Sequence, residues 1–338
     1  MILVTGGTGI LGSRLLFDLV NKGKKVRAIH RSNDFFITQK IFKLNAPERH
    51  LELFQNIEWI HADITDINSL EPAFDGITHV YHCAAFISFL GDAYKKMMSI
   101  NVEGTENMVN LSLERKIEKF AHVSSIAAIG RVKVGEMITE DTYWKTSPNN
   151  TGYAISKYGA EREVWRGMAE GLNAVIVNPG VIIGPGDWNN NTSEMFSLGW
   201  RGMKFYTEGV NAFVDARDVS KALIALMESD ISNERFILAS ENISFRQFFD
   251  FIADSFNKPR ATVKVNRTLA NIGWRLEALR SFIKNKRPTI TKETARASTN
   301  KFYYSNEKIR KAIGMEFMPM KKSVEDTCKV FLAENSFN

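Results

Sequence analysis

The first twenty residues of the chain constrain its fold more than any other stretch. Met1 to Thr5 is a short apolar run of strand type, Thr5-Gly6-Gly7-Thr8-Gly9-Ile10-Leu11-Gly12 follows with glycines at 6, 9 and 12, and Leu11 to Val20 reads as a helix. Each glycine has its own use: a tight turn, close approach of backbone to a ligand, and tight packing of helix on strand. The helix start that follows offers unpaired N–H groups and the positive end of a dipole, which suits a pyrophosphate. Glycine spacing alone is a weak signal; the order strand, turn, helix gives it weight. The reading is a dinucleotide seated on Gly6, Thr8, Gly9, Ile10 and Leu11.

The same rhythm continues to about residue 180. Strand candidates are Met1 to Thr5, Lys25 to His30, Ile57 to His61, His79 to Cys83, Lys119 to Ser124 and Ala174 to Asn178, with helix-like stretches between them. Such repeated βα units imply an α/β chain with a Rossmann-type, doubly wound parallel sheet, whose ligands lie beyond the carboxyl ends of its strands. After Pro179 the pattern breaks at the turn cluster Gly184-Pro185-Gly186-Asp187 and the loop-like Asn189-Asn190-Asn191. The expected division is a dinucleotide-binding domain over 1–180 and a smaller mixed substrate domain over 181–338, some of whose strands and helices return to the first. Within it, Leu269, Ile272, Leu276, Leu279 and Ile283 fall near helical spacing and predict a helix over Thr268 to Lys284, packed over the substrate cleft.

Composition narrows the function classes. A net charge of +6 and a pI near 9.1 would suit nucleic acid, but the basic residues are scattered and no nucleic-acid motif accompanies them. Cys83 and Cys328, the two cysteines, lie far apart with no His/Cys cluster near them, so no metal site is expected and a reducing compartment is the simpler reading. Neither a signal peptide nor an apolar run of about 20 residues is visible. A cytoplasmic location, with no integral membrane segment, is the expectation.

Tyr153-Ala154-Ile155-Ser156-Lys157 sets a phenol and an ammonium four residues apart, on one face of a helix. A free tyrosine titrates near pH ~10, too high for efficient proton exchange at neutrality, and a neighbouring cation lowers that value. Ser125 closes the run Phe120 to Ser124, where a substrate oxygen should lie, and its hydroxyl can orient a carbonyl or alkoxide toward Tyr153. The step implied is hydride exchange between a nicotinamide and a carbonyl carbon, with Tyr153 giving or taking the proton. About 20 residues beyond the glycines, where an acid usually meets the ribose 2′-OH of NAD, the chain reads Ile29-His30-Arg31-Ser32. The guanidinium of Arg31 suits a 2′-phosphate instead, which favours NADP(H), with NAD(H) the alternative.

With these features the chain resembles the extended short-chain dehydrogenase/reductase family, also called the NAD-dependent epimerase/dehydratase family, over almost its whole length. Asp63-Ile64 resembles the adenine-contacting pair of that family, and His82-Cys83-Ala84-Ala85 the strand end along the cofactor. Asn101-Val102-Glu103-Gly104-Thr105 resembles its central helix, and Asn178-Pro179-Gly180 the loop beside the nicotinamide. The resemblance implies a catalytic set of Ser125, Tyr153 and Lys157, with Asn101 holding the lysine through water. It also implies cofactor contacts from Asp63, Ile64, Ala84, Ala85, Tyr153, Lys157 and Pro179, and it allows a homodimer.

Where sugar-nucleotide epimerases of the family carry an arginine, the stretch Val210 to Val219 has Asn211. That stretch, the strand Val26 to Arg31 and the tail Tyr304 to Gly314 are similar to the branch of dihydroflavonol reductases, cinnamoyl-CoA reductases and 3β-hydroxysteroid dehydrogenases, although Ala212 is an insertion and His30 is unusual there. The expected activity is NADPH-dependent reduction of a ketone or aldehyde, or its reverse. Gly130 to Pro148 and Trp188 to Phe213 should line the pocket, where Tyr143, Trp144, Trp188 and Phe205 suggest an apolar or ring-bearing substrate. A sugar-nucleotide epimerase or dehydratase is the second reading. A protein that uses the fold only for binding is the third, and the Ser, Tyr and Lys set argues against it.

Overall fold

Apolar strands alternating with helices build a seven-stranded parallel sheet in the computed structural model, which describes residues 1–88, 91–133, 135–284 and 291–335. The first six strands are β1 (Ile2–Thr5), β2 (Val26–His30), β3 (Ile57–His61), β4 (His79–His82), β5 (Lys119–Val123) and β6 (Ala174–Pro179). Each lies within a residue of its sequence-predicted run. The chain then forms β7 (Val181–Ile183) and β8 (Val210–Asp215), returns to the large sheet as β9 (Glu234–Leu238), and leaves it again as β10 (Glu241–Ser244). The large sheet runs β9-β6-β5-β4-β1-β2-β3, so the strand order reverses between β1 and β4 and opens a crevice at their carboxyl ends.

Alternate side chains of the strands feed two cores. Val4 faces the core that α1 (Ile10–Asn21) and α2 (Phe36–Asn45) share with a later helix, Ala216–Met227, while Leu3 faces the other. That second core holds Val109 and Val164 from the helices α3 (Gly104–Glu114) and α4 (Gly152–Ala169). Every residue of β5 and β6 is buried, as expected of central parallel strands covered on both faces.

The region beyond β6 has its own core. A three-stranded sheet, β10-β8-β7, packs against α5 (Phe245–Ser255) and α6 (Met320–Asn335) through Phe196, Phe213, Phe248 and Phe331. The rings of Phe213 and Phe248 are stacked at 4.7 Å. The helix predicted over Thr268 to Lys284 forms as Arg267–Lys284 and packs against the helix Lys292–Ala297. Its Leu269 and Ile272 are exposed, and the side chains of Leu276, Leu279 and Ile283 lie outside the described residues. No helix among the described residues is long and apolar enough to cross a membrane, and no group of metal-ligating side chains forms among them.

Candidate active site

The glycine turn is a backbone cradle. Gly6 has φ +70°, and a Cβ there would lie 2.7 Å from the amide nitrogen of Ala84, so the turn tolerates no side chain at that point. A Cβ on Gly12 would lie 2.1 Å from the carbonyl oxygen of Gly6, which is how closely α1 approaches the turn. Gly9 is the N-cap of α1 and supplies no side-chain cap, and the first turn carries no acidic residue. Its amide groups are therefore suited to an anion, and the cradle fits a dinucleotide pyrophosphate. Ile10 turns its side chain toward the loop at Gly184 and Gly186, whereas Leu11 is buried in the α1 core and Thr8 is half-buried.

Further along the crevice, Arg31 stands just past β2, 58% exposed, with its Nη1 3.9 Å from Asp63 Oδ2. Asp63 spends its Oδ1 on the backbone and hydroxyl of Thr65. The Ile64 side chain is buried against Gly104, and its carbonyl accepts from Asn107 Nδ2 at 2.9 Å, so the side chain faces the core. Ala84 donates its backbone N–H to Thr5 Oγ1 at 3.0 Å, and Ala85 is exposed.

Ser125, Tyr153 and Lys157 converge beyond the end of β5. Ser125 has extended backbone, and its Oγ accepts from the amide of Ala127 at 3.1 Å, capping a short turn over Ile126–Ala128. The same hydroxyl lies near enough to the Tyr153 phenol to favour its ionised form. Thr151 caps α4 by accepting from Ala154, which fixes the first turn that carries Tyr153. Lys157, buried one turn later, donates from Nζ to the carbonyl of Val123 at 2.9 Å. Burial holds its ammonium down to about 8, against an upward pull from Glu161. Burial likewise pushes the Tyr153 phenol above its ordinary value while Ser125 pulls the other way. Burial thus outweighs, in the phenol, the lowering expected of a cation one helical turn away.

Asn101 lies in a π-helical turn, Met98–Glu103, immediately before α3. Its Oδ1 accepts from the amide of Phe86 at 2.7 Å, and its Nδ2 donates to Phe86 O and to Ser156 Oγ, both at 2.9 Å. The side chain thereby fixes Ser156, the neighbour of Lys157. Pro179 ends β6 beside Leu238 of β9.

Two residues that the sequence reading passed over brace this site. Glu161 is buried one turn beyond Lys157, and its Oε2 accepts from Ser124 Oγ and Asn178 Nδ2, both at 2.7 Å. Its Oε1 accepts from Arg235 Nη1 at 2.7 Å, and Arg235 Nε donates to Glu140 O at 2.9 Å. One carboxylate thus ties α4 to the ends of β5 and β6 and to β9. The signal was there, since Glu161 continues the four-residue stripe of Tyr153 and Lys157.

The aromatics expected in the pocket are dispersed. Trp144 stacks on Tyr158 at 4.4 Å, Tyr143 is 85% exposed and Phe205 58%. Trp188 packs on Phe331 and donates from Nε1 to Glu334 at 2.6 Å, and Glu334 also pairs with the buried Lys40 at 2.8 Å. Lys40 in turn donates to the carbonyl of Gly186 at 2.7 Å, so the loop after β7 is pinned to α2.

Comparison with known proteins places this geometry. Residues 2–239 match the NAD dependent epimerase/dehydratase family. The chain belongs to that family. It is an NAD(P)-dependent enzyme of the extended short-chain dehydrogenase/reductase type. Sterol demethylase protein B of Methylococcus capsulatus is 27% identical over 78% of the chain and 76% of that protein. Cinnamoyl-CoA reductase 1 of Petunia hybrida is 26% identical over 97% of the chain and 91% of that protein. Among solved structures, UDP-glucose 4-epimerase of Thermotoga maritima, determined with UDP-glucose, superposes with a TM-score of 0.77 over 98% of the chain and 99% of that structure at 19% identity, a likeness of fold.

Proposed function

We propose that this member of the family is an NADPH-dependent reductase of a ketone or aldehyde, working in either direction, with Ser125, Tyr153 and Lys157 as its catalytic residues. The observation that carries the reading is that Ser125 and Tyr153 meet at the end of β5, with Lys157 one turn along the same helix face and anchored on the same strand at Val123. When bound, the nicotinamide supplies the hydride for the carbonyl carbon. Ser125, held by Ala127, donates to the substrate oxygen, and Tyr153 passes its phenolic proton to that oxygen as the alkoxide forms. Lys157 keeps two N–H groups beyond the one on Val123, enough to stabilise the resulting phenolate and to hold a ribose hydroxyl.

Arg31 supports NADPH as the partner, because it is exposed at the end of β2 and, among the described residues, its one ion pair is the long one to Asp63 at 3.9 Å. Asn211 supports reduction over sugar-nucleotide chemistry: it stands where a diphosphate-binding arginine is expected, and its Oδ1 accepts from its own chain at Ala212. Substrate apolarity is supported by likeness to reductases such as that of Petunia hybrida rather than by the dispersed aromatics. The test is consumption of NADPH and NADH across a panel of ketones and aldehydes with Tyr153→Phe as the control. Turnover with NADPH that vanishes in the variant is the expected result. Silence across the panel with UDP-sugar interconversion would replace this reading with the epimerase.

A further inference from the structure

The cofactor turn and the π-helical turn of Asn101 belong to different elements, and one buried imidazole touches the side chains that hold both. His82 ends β4 and is fully buried. Its Nδ1 lies 2.8 Å from Thr5 Oγ1, and its Nε2 lies 2.9 Å from Thr105 Oγ1.

The outer members of this chain fix where every proton sits. Thr105 Oγ1 is 2.6 Å from the carbonyl oxygen of Asn101, which can only accept, so the single hydroxyl proton of Thr105 goes there. Its oxygen is then left to accept from His82, which requires a proton on Nε2. In a neutral ring Nδ1 is then the acceptor, and Thr5 donates to it. The Thr5 oxygen meanwhile accepts from the amide of Ala84 at 3.0 Å. Donation therefore runs one way, from Ala84 to Thr5 to His82 to Thr105 to Asn101. Lys157 disfavours a second proton on the ring, and the His122 imidazole lies 5.3 Å away between ring centroids.

We infer that His82 is a positioning residue: as the neutral Nε2–H tautomer it spaces the first residue of the cofactor turn from the π-helical turn that aims Asn101 at Phe86 and Ser156. A π-helical turn takes its carbonyls out of the α-helical register, and the bond from Thr105 adds a side-chain tie to the carbonyl of Asn101 within it. The consequence for turnover rests on the function proposed above, whereas the direction of the hydrogen-bond chain does not.

The first test is therefore made without cofactor or substrate. In the ¹⁵N-histidine-labelled protein at neutral pH, two-bond nitrogen–proton correlations for the signal missing from His82→Gln should show the proton on Nε2 alone. A proton on Nδ1, or on both nitrogens, overturns the inference whatever the enzyme reduces. The second test compares two variants for NADPH affinity by fluorescence titration and for kcat by turnover. His82→Leu, which loses both bonds, should weaken NADPH binding about tenfold, the effect of roughly 1.4 kcal/mol for two modest hydrogen bonds. His82→Gln, which offers one acceptor and one donor, should recover most of that loss together with kcat. Equal behaviour of the two variants, or wild-type affinity in His82→Leu, would reduce His82 to a space-filling residue and overturn the positioning role. If NADPH binds none of the three proteins, the proposed function fails while the tautomer measurement still decides the hydrogen-bond chain.

Discussion

Lys157 docks its ammonium on the carbonyl of Val123 at 2.9 Å, two residues before Ser125 on the same run of chain. The helix that carries Tyr153 and the strand end that carries Ser125 are thereby fixed to each other through a charged hydrogen bond. The two hydroxyls are thereby held in register by the fold itself.

Replacing the phenol tests this directly. Tyr153→Phe removes the proton donor while leaving the ring in place, so kcat should fall by about 10²–10⁴ with NADPH affinity unchanged. Steady-state turnover and cofactor titration on the same preparation separate the two quantities. Loss of cofactor binding together with kcat would assign Tyr153 a structural role instead.

Lys157 predicts a pH dependence with two signs. Its ammonium titrates at about 8, so the rate of reduction should decline as pH rises through that value and the cation that stabilises the Tyr153 phenolate is lost. Stability moves the other way. Between about 8 and the ordinary 10.5, the unfolded chain holds a proton that the folded protein has released, so this residue's contribution to stability rises with pH by up to about 1.4 kcal/mol per unit. The difference between wild type and Lys157→Met in urea midpoints, followed from pH 7 to 10, should show that rise; a flat difference would refute it.

At the adenosine end, Arg31→Ala should raise KM for NADPH by about tenfold or more, as expected for a charge-assisted bond worth roughly 1.5–3 kcal/mol, and leave KM for NADH where it was. Equal effects on both cofactors would detach Arg31 from the 2′-phosphate.

The brace beneath the site makes a stability prediction. Arg235→Leu leaves the carboxylate of Glu161, 1% exposed, without its cation, which should cost about 3–5 kcal/mol. Adding Glu161→Gln removes the stranded charge and should recover part of the loss. Urea unfolding of the two variants measures both, and a double variant no more stable than the single one would contradict the pairing.

How much of this was readable beforehand varies with the physics involved. The six strands β1 to β6 were legible to within a residue because each is short, apolar and bounded by turn chemistry, and the shared helix face of Tyr153 and Lys157 because a four-residue spacing follows helix periodicity. β9 escaped because Glu234 to Leu238 follows a helix and a turn far beyond β6, and nothing local says which sheet edge it joins. Glu161 and Arg235 are 74 residues apart, and such a pair is visible only once β9 lies beside β6. The ring partners of Trp144 and Trp188 were hidden for a related reason: nothing local to an aromatic in a loop says which ring it will meet, here Tyr158 and Phe331.

Gly180 is the single residue between β6 and β7, and a Cβ there would lie 2.5 Å from the carbonyl oxygen of Ala212. Two residues, Ala239 and Ser240, separate β9 from β10 at the other crossing. The large and small sheets are stitched together twice with almost no slack, so they cannot swing apart like the jaws of a hinged enzyme. Adaptation to different substrates falls to the surface segments around a stiff frame, and exchanging those segments between relatives should alter which molecule is accepted while the bond chemistry beneath stays the same.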